Sequence, residues 1–130
     1  MKKKIWIRVI LVLALVMLVG GVMIYNYLGR NLERLLSEPV GVMDLEKVED
    51  GTFTGEFKAF PVEVIVDVEV MDHALSRISI IEHINGQGKD AESITDEILD
   101  KQSLQVDTVS GATYSSIAIL KAVEDALKDQ

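Results

Sequence analysis

The sequence predicts an α+β protein, in which an N-terminal transmembrane helix precedes a small, mostly antiparallel sheet packed with two helices. Residues 62–70 alternate valines with mostly acidic side chains, which is the period of a half-buried strand. Residues 113–128 repeat apolar side chains every three or four positions, which indicates an amphipathic helix. Because the strands come first and the helices after them, we expect a sheet layer and a helix layer in one domain.

The first 28 residues predict a membrane anchor. A cluster of basic residues precedes an uncharged, mainly aliphatic run over residues 9–28. About 20 such residues cross a hydrocarbon core of ~30 Å as a helix. The alternative is a cleaved signal peptide, whose apolar core is usually about 7–15 residues and is followed by a small-residue cleavage site. Here more apolar sequence follows Gly20 and Gly21, which favours the uncleaved anchor.

The distribution of charge predicts orientation and excludes one class of partner. By the positive-inside rule, the basic start is cytoplasmic and the domain lies outside. We expect residues 1–28 to form this start and the anchor, residues 29–43 a juxtamembrane helix and linker, and residues 44–130 the extracytoplasmic domain. From residue 30 onwards nine basic residues face 21 acidic ones, a net charge of −12. Such a charge repels nucleic acid and steers the domain towards basic protein surfaces.

Local patterns predict the elements of the domain in order. The predicted strands, turn and helices are a strand at 52–57 after the turn signal Asp50-Gly51, a strand at 62–70, a hairpin turn at 71–74, a strand at 77–84, a helix at 91–104, an extended piece at 105–109 and a helix at 113–128. In the last helix, the core stripe is expected to be Ile117, Leu120, Val123 and Leu127. The chain has no cysteine, and its two histidines are far apart, so no metal site is expected.

Four small residues, Ser110, Gly111, Ala112 and Thr113, lie directly before the last helix, and Asp107 lies just upstream. Helix capping by Ser110 or Thr113, with a turn at Gly111, is the simplest explanation. A phosphate site explains more of the pattern, because the N-terminus of a helix attracts anions and small residues let a large planar ligand approach the backbone. A threonine hydroxyl there is suited to hydrogen-bond the phosphate or to be esterified to it.

The pattern Asp107-x-x-Ser110-Gly111-Ala112-Thr113 resembles the flavinylation motif of the FMN-binding domain family. That family includes the C-subunit of the sodium-pumping NADH:quinone reductase and the G-subunit of the Rnf complex. The resemblance extends from residues 50–56, similar to the family's opening hairpin, to Ser115 and Ser116, which it implies as cofactor contacts. It implies FMN as cofactor, joined through its phosphate to Thr113 by a separate, Mg²⁺-dependent flavin transferase that uses FAD as donor. Asp107 and the Ser-Gly-Ala segment would then be what the transferase recognises.

Other candidate ligand contacts follow the third strand. Where relatives have Glu-Thr-Pro-Gly, this chain has EHINGQG at residues 82–88. His83 is expected either to approach the isoalloxazine ring or to be a surface hydrogen-bonder, and Gly86 and Gly88 either to allow ring approach or only to form the loop. His73 is expected in an exposed turn. The carboxylates of residues 63–69 and 92–100 are expected to form solvated faces, because their spacing does not suggest acid–base pairing.

The resemblance therefore implies a membrane-anchored, extracytoplasmic flavoprotein that relays electrons between redox partner proteins. It would be a carrier and not a complete enzyme, since the chain shows no second candidate cofactor site. Covalent attachment suits this location, because FMN that dissociates outside the cytoplasm is lost. Two alternatives stay open: a module that holds FMN or another phosphate ligand non-covalently, with Thr113 only hydrogen-bonding, and a ligand-free structural domain of a membrane assembly.

Overall fold

The computed structural model describes residues 2–84 and 88–128. Its main elements are α1 (Lys2–Ser37), β1 (Gly51–Ala59), β2 (Val62–Met71), β3 (Ala74–Ile84), α2 (Ile94–Lys101) and α3 (Thr113–Leu127). Short 3₁₀ helices at Leu45–Lys47 and Lys89–Ser93 precede β1 and α2. The strands form one antiparallel sheet in the order β1-β2-β3, packed against helices, which confirms the predicted α+β fold class.

The N-terminal helix α1 is continuous over 36 residues, so the predicted anchor and juxtamembrane helix form a single rod. At about 1.5 Å per residue such a rod is ~54 Å long. Among the described residues it is the one helix long and apolar enough to span a membrane, and its most apolar window has no buried residue. The helix ends at Ser37, two residues before Pro39, which cannot continue it.

The hairpin between β2 and β3 turns at Asp72 and His73, whose φ angles are 53° and 60°. Two consecutive left-handed residues are typical of a type I′ turn, whose twist matches that of the strands it joins. The predicted turn at residues 71–74 is thus confirmed, and His73 is exposed as expected. Two irregularities follow in β3, where Ser76 and Ile81 have no partner in the register with β2.

The core lies between the valine face of the sheet and α3. The buried side chains of β2 are Val62, Val64, Val66, Val68 and Val70. In α3 the predicted stripe is partly wrong, because Ile117 is half-buried whereas Ile119 is fully buried. The reason is that Ala118, Ala122 and Ala126 are buried and lie in the contact itself, so small side chains and not large ones bring the helix close to the sheet.

Gly55 in β1 lies directly beneath α3. A Cβ atom at this position would collide with the carbonyl oxygen of Ala122 and the backbone nitrogen of Ala126, and would lie 2.8 Å from the Cβ of Ala126. The glycine therefore allows the backbones of strand and helix to touch. The N–H of Glu56, the next residue, donates to Asp125 Oδ2 at 3.1 Å and adds a polar contact at the same place.

The second helix is shorter than predicted. Residues 91–104 were expected to be helical, but the segment starts as a 3₁₀ turn and α2 ends at Lys101. Gln102 follows with a left-handed φ of 50°. Its side-chain amide accepts from the Leu75 N–H at 2.7 Å and donates to the carbonyls of Leu75 at 2.9 Å and Leu99 at 2.7 Å. These bonds end the helix and tie it to the start of β3.

The linker after α1 is bound to α3. Lys121 Nζ donates to the carbonyl of Pro39 at 2.7 Å, and the N–H of Gly41 donates to Glu124 Oε1 at 3.0 Å. Leu35, near the end of α1, is only 2% exposed. Since α1 also contacts both α3 and β1, the helix and the domain are joined by packing and hydrogen bonds as well as by the chain.

We expect Gly55→Ala to lower the free energy of unfolding of the domain by about 1–3 kcal/mol, the usual cost of overpacking, because α3 must move away from β1. Thermal unfolding in detergent, followed by circular dichroism, measures the change. Gly29→Ala is the matched control, since nothing lies within 4 Å of a Cβ there and alanine favours a helix. Equal unfolding midpoints for the two variants would contradict the close contact at Gly55.

Candidate functional site

Three of the four small residues, Ser110, Gly111 and Ala112, lie in a tight turn directly before α3. The N–H of Ala112 donates to the carbonyl of Val109 at 3.0 Å, which closes a β-turn with Ser110 and Gly111 at its centre. Gly111 has a φ of 80°, the value that a type II turn requires at its third residue. A Cβ at Gly111 would meet nothing within 4 Å, so the backbone conformation requires the glycine and space is open beside it.

Within the part of the chain that the structure describes, the N-cap residue of α3 makes no side-chain cap hydrogen bond. Ala112 occupies the N-cap position and makes no side-chain hydrogen bond, and alanine is among the weakest N-cap residues. Neither Ser110 nor Thr113 occupies the N-cap position, as the capping explanation would require. Because the first N–H groups of a helix have no acceptor within it, this end keeps the donors and the positive dipole that attract an anion.

Ser116 holds the turn onto the helix. Its Oγ accepts from the Val109 N–H at 3.0 Å and donates to the carbonyl of Ala112 at 2.9 Å, and the side chain is fully buried. One hydroxyl thus binds the first and the last residue of the turn. Ser115 beside it is also buried. The sequence suggested that both serines contact the cofactor, whereas the hydrogen bonds of Ser116 are to the backbone that shapes the site.

Thr113 is the first residue of α3 and is half-buried. Ser110 and Gly111 are exposed on the turn, and Ala112 is buried. Asp107 is exposed in the extended segment that leads to the turn, where it adds to the effect of Glu97 in raising the pKa of Lys101. The structure thus places Ser110, Gly111 and Ala112 in one turn with Thr113 next to it at the start of α3, and Asp107 lies in the segment that leads to this turn.

His83 lies on the core face of β3, where its partner in β2 is Val64. Its side chain is 2% exposed, and its Nδ1 is 3.1 Å from Glu92 Oε1 in the 3₁₀ helix before α2. The His83 side chain is therefore buried, whereas one of the two expectations placed it at the surface as a hydrogen-bonding residue. The bulge at Ile81 is the reason, because one extra residue moves the following side chains to the other face of a strand. Approach of His83 to the flavin ring stays a prediction.

Of the two glycines predicted in the loop after β3, the structure describes Gly88 but not Gly86. Gly86 lies outside the described residues. Gly88 is buried and precedes the 3₁₀ helix Lys89–Ser93 with a φ of −92°, which any residue can adopt. Within residues 2–84 and 88–128, no group of three or more histidine, aspartate or glutamate side chains is placed to hold a metal ion.

A comparison with protein families identifies the cofactor of the chain. The profile described as "FMN-binding domain" matches residues 58–128, more than half of the chain. The chain belongs to the FMN-binding domain family. FMN is therefore its cofactor, and the matched region includes β2, β3, α2, the turn and α3. No curated protein and no solved structure matches the chain.

The turn before α3 fits the phosphate of FMN. The phosphate of FMN needs hydrogen-bond donors, and the N-terminus of α3 has N–H groups of the kind that bind phosphate. The open space beside Gly111 lets a ligand approach the backbone there. Thr113 adds a hydroxyl at the same helix end. These features make the turn the candidate phosphate site of this FMN-binding domain.

We expect Ser116→Ala to loosen the turn, because the Val109 N–H loses its acceptor, at a cost of about 1–3 kcal/mol. Hydrogen–deuterium exchange at the Val109 amide should become faster than in the unsubstituted protein. Ser115→Ala is the matched control, since within the described residues the Ser115 hydroxyl makes no hydrogen bond to the turn. If both variants exchange at the unsubstituted rate, Ser116 does not hold the turn.

Proposed function

We propose that this FMN-binding protein is a membrane-anchored electron carrier whose FMN is esterified through its phosphate to Thr113. The observation that carries the proposal is the N-terminus of α3, where the N-cap residue makes no side-chain hydrogen bond. Thr113 is the first residue of this helix and lies close to the free space beside Gly111. A hydrogen-bonding role alone would not require the flavinylation pattern of Asp107 and Ser110 to Thr113, which this chain has in full.

Attachment requires a flavin transferase as a partner and FAD as the donor. The Thr113 Oγ forms a bond to the phosphorus of the FMN half, the pyrophosphate bond of FAD breaks, and AMP leaves together with the hydroxyl proton. This step transfers a group and changes no oxidation state. Ser110 and Gly111 are exposed, so a transferase can reach the turn from solvent. The N–H groups of the first helical turn stabilise the phosphate that remains.

Bound FMN supplies the redox chemistry, and the protein sets its position and its exposure. The chain would act as a relay between partner proteins, because the described residues provide no metal cluster for a second redox centre. Its acidic domain favours partners with basic docking surfaces.

The helix α1 would hold the carrier in the membrane with its N-terminus in the cytoplasm. The support is its length, its exposed apolar surface and the basic residues before the apolar run. The domain would then lie outside the cytoplasm, where an ester bond prevents loss of the flavin.

We expect Thr113→Val to abolish covalent FMN and Thr113→Ser to retain it, because serine keeps the hydroxyl nucleophile. The full chain is co-expressed with a flavin transferase, denatured and separated on a gel, and the flavin fluorescence of the band is measured. Thr108→Val, at the exposed threonine five residues upstream, is the matched control and should keep the full signal.

The outcomes separate the proposal from its alternatives. A fluorescent band in Thr113→Val would show that the ester is on another residue. Flavin colour that is lost on denaturation of the unsubstituted protein would indicate non-covalent binding. A colourless native protein would indicate a structural domain without ligand.

A further inference from the structure

The end of the β1–β2 hairpin lies against the part of α1 that follows the apolar run. One groove between them is lined by Tyr27, Arg34, Leu35, Glu38, Phe57, Lys58, Ala59 and Phe60. A second groove is lined by Tyr27, Arg30, Glu33, Arg34 and Ser37. Because Tyr27 and Arg34 belong to both, the two grooves adjoin and form one surface, which we call the hairpin–helix surface.

This surface lies at the level where α1 would leave the membrane. Tyr27 is near the end of the uncharged run over residues 9–28, and tyrosine is enriched at the boundary between hydrocarbon and water. Phe60 lines a groove with Tyr27, so the tip of the hairpin is brought to the same boundary. Phe60 is 64% exposed, and its apolar ring is matched to an interface where one side is lipid.

The charge of this surface differs from that of the rest of the domain. The two grooves are lined by three cations, Arg30, Arg34 and Lys58, and by two carboxylates, Glu33 and Glu38. From residue 30 onwards, in contrast, the chain has nine basic and 21 acidic residues. Lys58 also forms ion pairs with Glu63 at 2.9 Å and with Glu56 at 3.4 Å, so part of its charge is already balanced. Long basic side chains at such a level keep their charged ends among headgroups while their stems cover apolar surface.

We propose that the end of the β1–β2 hairpin rests on the lipid surface beside α1, with Phe60 at headgroup level and Lys58, Arg30 and Arg34 among the lipid phosphates. This proposal rests on the membrane anchoring in the proposed function. Lipid is the occupant because the exposed apolar surface of α1 continues directly into the hairpin–helix surface. The linker bonds from Pro39 and Gly41 to α3 hold the domain in this orientation.

A depth measurement on the full chain tests the contact. The protein has no cysteine, so single-cysteine variants carry a nitroxide at one chosen position. Leu18→Cys reports the middle of α1, Phe60→Cys the hairpin tip, and Ile81→Cys the edge strand, where the native side chain is 60% exposed and thus matches Phe60. Each variant is reconstituted in vesicles of phosphatidylethanolamine and phosphatidylglycerol. Power saturation with oxygen and with a water-soluble nickel chelate then gives the depth of each label.

We expect the label at position 18 to be shielded from the nickel chelate and the label at position 81 to be fully accessible to it. The label at position 60 should be less accessible to the chelate than the label at position 81. Equal access at 60 and 81 with a shielded label at 18 would overturn the hairpin contact alone. An accessible label at 18 would show that α1 does not span the bilayer, and the anchored carrier would fail with it.

A second pair of variants keeps the phenylalanine in place. Ala59→Cys carries the label next to an intact Phe60 and should also be shielded relative to position 81. Adding Phe60→Glu to this variant should restore nickel access at 59, because a carboxylate is repelled from the phosphate layer. Unchanged shielding at 59 would show that Phe60 does not make the contact.

Discussion

The backbone contact between α3 and β1 at Gly55 is the constraint on which the rest of the structure depends. With no side chain at Gly55 and alanines at the facing positions, the helix lies directly on the sheet. Because α3 is fixed there, both of its ends are fixed as well. Its C-terminal half presents Lys121 and Glu124 to the linker, and its N-terminal end presents the turn that contains Gly111. One contact therefore positions both the linker after α1 and the turn before α3.

In the turn before α3, the residues that set the backbone conformation differ from the groups that are candidates for binding a phosphate. Gly111 provides a conformation that other residues rarely adopt, and Ser116 braces the turn from within the helix. A serine or aspartate at position 112 would add about 1 kcal/mol of helix stability as a cap. It would also compete for the N–H groups that a phosphate uses. The alanine found there does not compete for those donors, and the isolated helix is less stable as a result.

Features that depend on local periodicity could be predicted from the sequence, and features that depend on one contact between distant elements could not. The valine alternation and the apolar run are local, so β2 and α1 were predicted correctly. The end of α2 depends on Gln102, whose amide bonds to Leu75 on another element. The burial of His83 depends on the bulge at Ile81, which reverses the faces that strict alternation would assign. The family match begins at residue 58, so the similarity noted at residues 50–56 lies outside it.

The bonded linker has a consequence for how the proposed electron carrier would work. A flexible linker lets a cofactor domain move between an electron donor and an electron acceptor, so that the movement of the domain carries the electrons. Here Pro39 and Gly41 are bound to the same helix that begins at Thr113. The cofactor would therefore be held at a fixed position relative to α1. The electron donor and the electron acceptor would have to bind to it one after the other. Turnover would then depend on the lateral traffic of partners in the plane of the membrane and on how long each one stays docked.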